Sequence, residues 1–181
     1  MIYLVTGASG SGKSEYAEAL SVRLAEKKKR EKLYLATMDG QSAQAMERIM
    51  RHRKLREGKD FITIEAPFGD LDWALLPANK PVILLEDVSN LLANLIFMQS
   101  LLADDARKRA IAQIERLKEL STDLILVTNE IFSDGTLYGA ETEAYRRTLA
   151  AVNKSLFACS QVCCEIVYTI PVFWKGEALC Q

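Results

Sequence analysis

The stretch Gly7-Ala8-Ser9-Gly10-Ser11-Gly12-Lys13-Ser14 decides how the rest of the chain is read. It fits G-x-x-x-x-G-K-[ST], follows a short β-rich run at Ile2–Thr6, and opens a helical pattern at Lys13. That strand–loop–helix setting is what the motif requires. Glycines at 7, 10 and 12 let the backbone turn tightly and aim its N–H groups inward. With the helix N-terminus, the amides from Gly7 to Ser14 form a cradle for phosphate oxygens. Lys13 supplies a point charge for the β- and γ-phosphates, and the Ser14 hydroxyl is suited to Mg²⁺. The stretch predicts binding of a nucleoside triphosphate, ATP or GTP, with Mg²⁺.

Outward from the loop, strands and helices alternate. Lys13–Lys29 places Tyr16, Ala17, Leu20, Leu24 and Ala25 on one stripe of a helix. Leu33–Thr37 reads as a strand, and Ser42–Arg56 as a helix with Ala43, Met46, Ile49 and Met50 on its apolar face. Phe61–Ala66 alternates like a strand and ends before Pro67. Pro81–Glu86 and Asp123–Thr128 are continuous apolar runs, the pattern of strands covered on both faces. Leu91–Leu102, Asp104–Leu120 and Glu141–Ala158 read as helices, and Val162–Ile170 as a final strand. This order predicts an α/β, P-loop NTPase-type three-layer sandwich with a mostly parallel central sheet. Right-handed crossovers then gather the carboxyl ends of the strands at one edge, where ligands bind.

The 181 residues predict a single nucleotide-binding domain over 1–181. Lys+Arg number 23 and Asp+Glu 24, a net charge of −1, which argues against a nucleic-acid binder that works through overall positive charge. No window holds the ~18 uninterrupted apolar residues of a membrane span. The beginning of the chain shows no secretory pattern, so a cytoplasmic site is expected. Cys159, Cys163, Cys164 and Cys180 include no Cys-x-x-Cys pair, which argues against zinc. At least one of Cys163 and Cys164 is expected in the core. The basic run Lys27–Arg30 closes the first helix and suits its negative dipole end.

Three further features fall at strand or helix ends. The PVILLE strand ends in Glu86-Asp87, where a carboxylate can hold Mg²⁺ or accept a proton from an attacking hydroxyl. Sequence does not choose between the two. Asn129 and Glu130 end the DLILVT strand on the same edge, either near the phosphates or merely shaping the loop. The one histidine, His52, stands among Arg48, Arg51, Arg53, Lys54 and Arg56. Like charges disfavour its protonation, and a neutral imidazole is a competent nucleophile toward phosphorus. The alternative is a histidine on an exposed basic helix face.

The ordered set LVTGASGSGKSEYAE at 4–18, LYLAT at 33–37, RIMRHRKLR at 48–56, ITIEAP at 62–67, LLEDVSNLLANLIF at 84–97, LVTNE at 126–130 and VNKSLF at 152–157 resembles a known family. It is similar to the bifunctional adenosylcobinamide kinase/adenosylcobinamide-phosphate guanylyltransferases of cobalamin biosynthesis, over Ile2 to Gly176. The resemblance implies phosphorylation of a corrinoid hydroxyl by a nucleoside triphosphate. It also implies GMP transfer from GTP to that phosphate through a guanylyl-histidine. His52 then matches the guanylylated histidine, with Lys13 and Glu86 as the other catalytic residues. Arg53 and Glu65 join the phosphate loop and Glu86 as nucleotide-binding positions, Ser14 and Asp87 are the metal positions, and the assembly is a homotrimer. The chain departs from the family pattern at residues 41–45, which carry no acid, and over 131–147, where a Gly-x-Gly-x-x-Pro loop and a Phe-Arg-Asp are replaced. Two other readings stand beside the bifunctional enzyme: a divergent P-loop kinase without nucleotidyl transfer, and a non-catalytic nucleotide-binding protein on the same scaffold.

Overall fold

In the computed structural model, residues 1–39, 43–69, 71, 76–133 and 135–177 are described. Among them seven strands form one sheet: β1 (Ile2–Thr6), β2 (Lys32–Ala36), β3 (Phe61–Glu65), β4 (Val82–Glu86), β5 (Asp123–Val127), β6 (Val162–Val167) and β7 (Ile170–Lys175), in the order β3-β2-β4-β5-β1-β6-β7. Strands β1 to β6 are parallel, and β7 pairs antiparallel with β6. The helices are α1 (Lys13–Lys28), α2 (Ala43–Arg56), α3 (Val88–Ala93), α4 (Ala103–Leu120) and α5 (Ala140–Cys159), with a π-helical segment at Asn94–Met98.

The period of two along each strand divides the core into two layers. Ile2, Leu4, Ile83, Leu85, Leu124 and Leu126 face α3, α4 and α5. Tyr3, Val5, Leu84, Ile125 and Val127 face α1, which brings Ala17, Leu20, Leu24 and Ala25 from the predicted stripe. The expected three-layer α/β sandwich with a mostly parallel sheet is therefore what forms. Cys163 and Cys164 are both buried, one in each layer, and burial raises both thiols to about 11. Lys28, in the basic run, does more than meet solvent: its ammonium pairs with fully buried Asp123 at the head of β5.

Three expectations are corrected. The predicted final strand over 162–170 is broken by a turn at Tyr168 and Thr169, and a seventh strand follows. The helix expected at Leu91 begins at Val88, because the Asp87 carboxylate accepts the Asn90 N–H at 2.6 Å and caps it. Of the predicted apolar face of α2, Met46 is 42% and Met50 64% exposed, and Ile49 is half-buried. The helix instead packs through Arg56, whose guanidinium lies 3.6 Å from the Tyr34 ring centroid. The predicted helix start at Ser42, with Gln41 and Cys180, lies outside the described residues.

Candidate active site

All parallel strands present their carboxyl ends at one edge, and the phosphate loop springs from β1 in the middle of it. Gly10 and Gly12 take φ of 75° and 94°, a region that side chains rarely adopt, so the glycines of the motif are needed for this backbone. A Cβ on Gly7 would meet the Ile166 carbonyl at 2.7 Å, so the loop lies against the end of β6. Ala8, Ser9 and Gly10 are exposed at the tip, whereas Lys13 is buried and reaches back over the loop, donating to the Ala8 carbonyl at 3.1 Å. An ammonium in that place faces whatever anion the amides hold.

Beside the loop, the Ser14 hydroxyl donates to Glu86 Oε1 from the end of β4. Glu86 Oε2 is buried with no hydrogen-bond partner among the described residues. Burial, eased in part by Ser14, pushes the Glu86 carboxyl up to about 8. A hydroxyl and an unsatisfied carboxylate oxygen side by side are hard donors that fit Mg²⁺. A divalent cation there would satisfy the orphaned oxygen and favour the ionised carboxylate.

Asp87 stands differently. Its Oδ1 accepts from Asn90 N–H and from the Ser89 hydroxyl at 2.7 Å, and its Oδ2 accepts from Asn129 Nδ2 at 3.0 Å. Its backbone is clasped by Thr37, whose hydroxyl donates to the Asp87 carbonyl and accepts the Asp87 N–H. Asp87 thus ties the ends of β2, β4 and β5 together. Asn129 serves that clasp. Glu130 shapes its loop, accepting from Phe132 N–H and the Ser133 hydroxyl, while its own N–H donates to the Gly7 carbonyl.

His52 lies half-buried on α2, with Nδ1 buried and unpartnered among the described residues. Its pKa is lowered, first by burial, then by the Arg56 and Arg51 guanidiniums. Asp87 pulls it back up and Lys13 lowers it further, so the imidazole lies within the field of the phosphate site. Sequence alone credits the basic neighbours, but removal from water is the larger cause. Arg56 is fixed by Tyr34 beneath it. Fully buried Glu18 of α1 pairs with Lys59 at 2.6 Å on the same side of the sheet. Arg56→Gln is therefore expected to raise the His52 pKa. Because the chain has one histidine, a proton NMR titration of its single imidazole signal measures this without assignment. An unchanged or lower midpoint would contradict the role given to Arg56.

Arg53 and Glu65, both named as nucleotide-binding positions, form an exposed ion pair with each other at the outer end of β3. In the 131–147 departure, Arg146 organises the segment: it pairs with Glu143, donates to the carbonyls of Phe132 and Thr136, and lies 5.1 Å from the Tyr138 ring centroid. Sequence reading missed Thr37, Asn94 and Thr169. Asn94 donates to the carbonyls of Thr37 and Pro67, joining the π-helical segment to the ends of β2 and β3. A buried Asn inside the apolar run LLANLIF was the available signal.

Among the described residues no helix is long and apolar enough to cross a membrane. No curated protein matches the chain by sequence. Among solved structures, it is similar to a KaiC-like protein from the hyperthermophilic archaeon Pyrococcus horikoshii OT3, at a TM-score of 0.57 and 13% identity over 98% of this chain and 79% of that one. That likeness concerns the fold alone. The sequence pattern of one enzyme family runs from β1 into β7, over residues 3–172, and takes in every site residue named above. By that match the chain belongs to the cobinamide kinase / cobinamide phosphate guanyltransferase family.

Proposed function

We propose that the chain carries out both reactions of its family at this edge, the second through a covalent guanylyl-histidine at His52. In the first, a corrinoid hydroxyl oxygen attacks the γ-phosphorus of a nucleoside triphosphate held by the loop amides and Lys13, and a nucleoside diphosphate and the hydroxyl proton leave. In the second, His52 attacks the α-phosphorus of GTP and pyrophosphate leaves. The corrinoid phosphate then displaces the imidazole and takes the GMP. Nδ1 is sealed from solvent, which leaves Nε2 as the attacking nitrogen. Ser14 and Glu86 are the residues to hold Mg²⁺, which when bound neutralises charge on the β- and γ-phosphates. Asp87, with both oxygens engaged, holds Glu86 and its strand end in place instead. Arg53 and Glu65 sit ready to exchange their mutual pairing for contacts to the nucleotide. A homotrimer working in the cytoplasm completes this reading.

The observation that carries it is the half-buried imidazole, kept neutral and within the field of Lys13. Incubation with GTP labelled at the α-phosphate and Mg²⁺ is expected to leave acid-labile, base-stable label on the wild type. His52→Ala is expected to carry none and to retain corrinoid phosphorylation. An unlabelled wild type at saturating GTP would remove the guanylyl-histidine and leave the kinase reading.

A further inference from the structure

The helix that carries His52 is fastened to the fold near its end. Among the described side chains of α2, Arg56 alone is buried. Its guanidinium lies on the Tyr34 ring of β2, four residues and about one helical turn beyond His52. The corner that follows closes through the Lys59 N–H, which donates to the Arg56 carbonyl at 3.0 Å. From that corner the Lys59 ammonium reaches α1 and meets Glu18 Oε2 at 2.6 Å. Within α2 itself, Arg53 pairs with Glu65, but both partners are more than half exposed, and the pair joins α2 to edge strand β3 rather than to α1. A pair so open to water holds little in place.

Glu18 is fully buried on α1, between Ala17 of the core stripe and the next turn of the helix. Its Oε1 has no hydrogen-bond partner among the described residues. Burial raises its pKa above the ordinary carboxylate value in spite of Lys59 and Arg56. Replacing a buried ion pair by apolar side chains is often stabilising, so stability gives no reason for a carboxylate here. What the carboxylate does is tie the corner after α2 to the helix that opens at the phosphate loop. Ser14 stands four residues before it, about 6 Å along the same rigid helix.

We propose that Glu18 is a positioning residue for guanylyl transfer: through Lys59 it fixes the corner of α2, and with it the His52 imidazole, against the phosphate loop. This role rests on His52 as the nucleophile. The phosphorylation step uses the loop amides, Lys13, Ser14 and Glu86, and draws nothing from α2. A misplacement of about 1 Å at reacting atoms costs on the order of 10²-fold in rate, so a loosened α2 slows the histidine step and spares the other.

The test compares two rates in wild type, Glu18→Gln, Lys59→Gln and the double variant. One is single-turnover labelling of the protein by GTP labelled at the α-phosphate, at saturating GTP with Mg²⁺; the other is corrinoid phosphorylation. Glutamine keeps the shape of glutamate, and Lys59, 29% exposed, is free to turn to water, so the fold is expected to hold. Each single variant is expected to slow labelling about 10- to 10²-fold, with phosphorylation within about 2-fold of wild type. The double variant is expected to be no slower than either single one, as befits two ends of one link. Labelling at the wild-type rate in Glu18→Gln would overturn the proposal. An equal fall in both reactions would do the same, making the pair a general support of the fold, as would losses that multiply in the double variant. Should Glu18→Gln not fold, Lys59→Gln reads the same link from its partly exposed end. A wild type that takes no label would instead overturn His52 as the nucleophile, and this proposal with it.

Discussion

Lys13→Ala is expected to abolish both the phosphorylation and the guanylyl transfer, lowering kcat/KM for each by about 10²–10³-fold or more. The ammonium is buried against the loop and already turned toward the Ala8 carbonyl, so the charge is in place before a nucleotide arrives. Alanine leaves the amide cradle intact but removes the one compact cation within it. Arginine is not expected to restore activity, because a planar guanidinium does not fit where a point charge fits. The unliganded fold should persist, since α1 is held by Ala17, Leu20, Leu24 and Ala25. Steady-state assays of both reactions beside far-ultraviolet circular dichroism separate these effects. Near-normal turnover in Lys13→Ala would show that the loop does not hold the reacting phosphates.

Glu86→Gln is expected to move activity and stability in opposite directions. In the folded chain Glu86 titrates at about 8 against an ordinary value of 4.5, so between these two values the folded state holds a proton that the unfolded chain has released. Stability is then full below about pH 4.5, falls as pH rises, and levels off above about 8. One pKa unit corresponds to about 1.4 kcal/mol, so the loss is bounded by about 4–5 kcal/mol at the top of that window. Glutamine has no charge to bury. Without ligand, Glu86→Gln should melt above wild type at pH 8 and alongside it near pH 5. Its activity should fall by about 10²-fold, because the amide is a poor partner for Mg²⁺. Added Mg²⁺ and ATP should stabilise wild type more than the variant. A variant less stable than wild type at pH 8 would show that Glu86 is satisfied as an anion in the resting chain.

Much of this site was legible because its signals are local. The phosphate loop is eight contiguous residues, and the strand ends at Glu86 and Asn129 follow from apolar runs that a parallel sheet requires. The division of labour between Glu86 and Asp87 was not legible, because both are acids at one strand end. Only folding shows that Ser89, Asn90 and Asn129 occupy the oxygens of Asp87 and leave one of Glu86 orphaned. The β6–β7 turn escaped notice because Tyr168 and Thr169 hold positive φ without the Gly, Asn or Asp that usually marks such a turn. Pro171 was the available hint, since proline within a strand points to an edge. The exposed methionines of α2 mislead for another reason. Periodicity reports an apolar stripe, whereas burial depends on the neighbour, and β3 beside it is a half-exposed edge strand.

The two adjacent cysteines have a bearing on the substrate of this family. A corrinoid carries cobalt, and a thiolate is the soft ligand most apt to seize such a metal. Cys163 and Cys164 are sunk into opposite faces of the sheet and hold their protons well past neutrality. Exposed Cys159 closes α5, just before Gln161 N–H meets the Ile2 carbonyl at the far, amino-terminal margin. The carboxyl edge around Ser14, Glu86, Asp87 and Asn129 is thereby furnished, among the described residues, with oxygen and nitrogen donors and no cysteine thiolate.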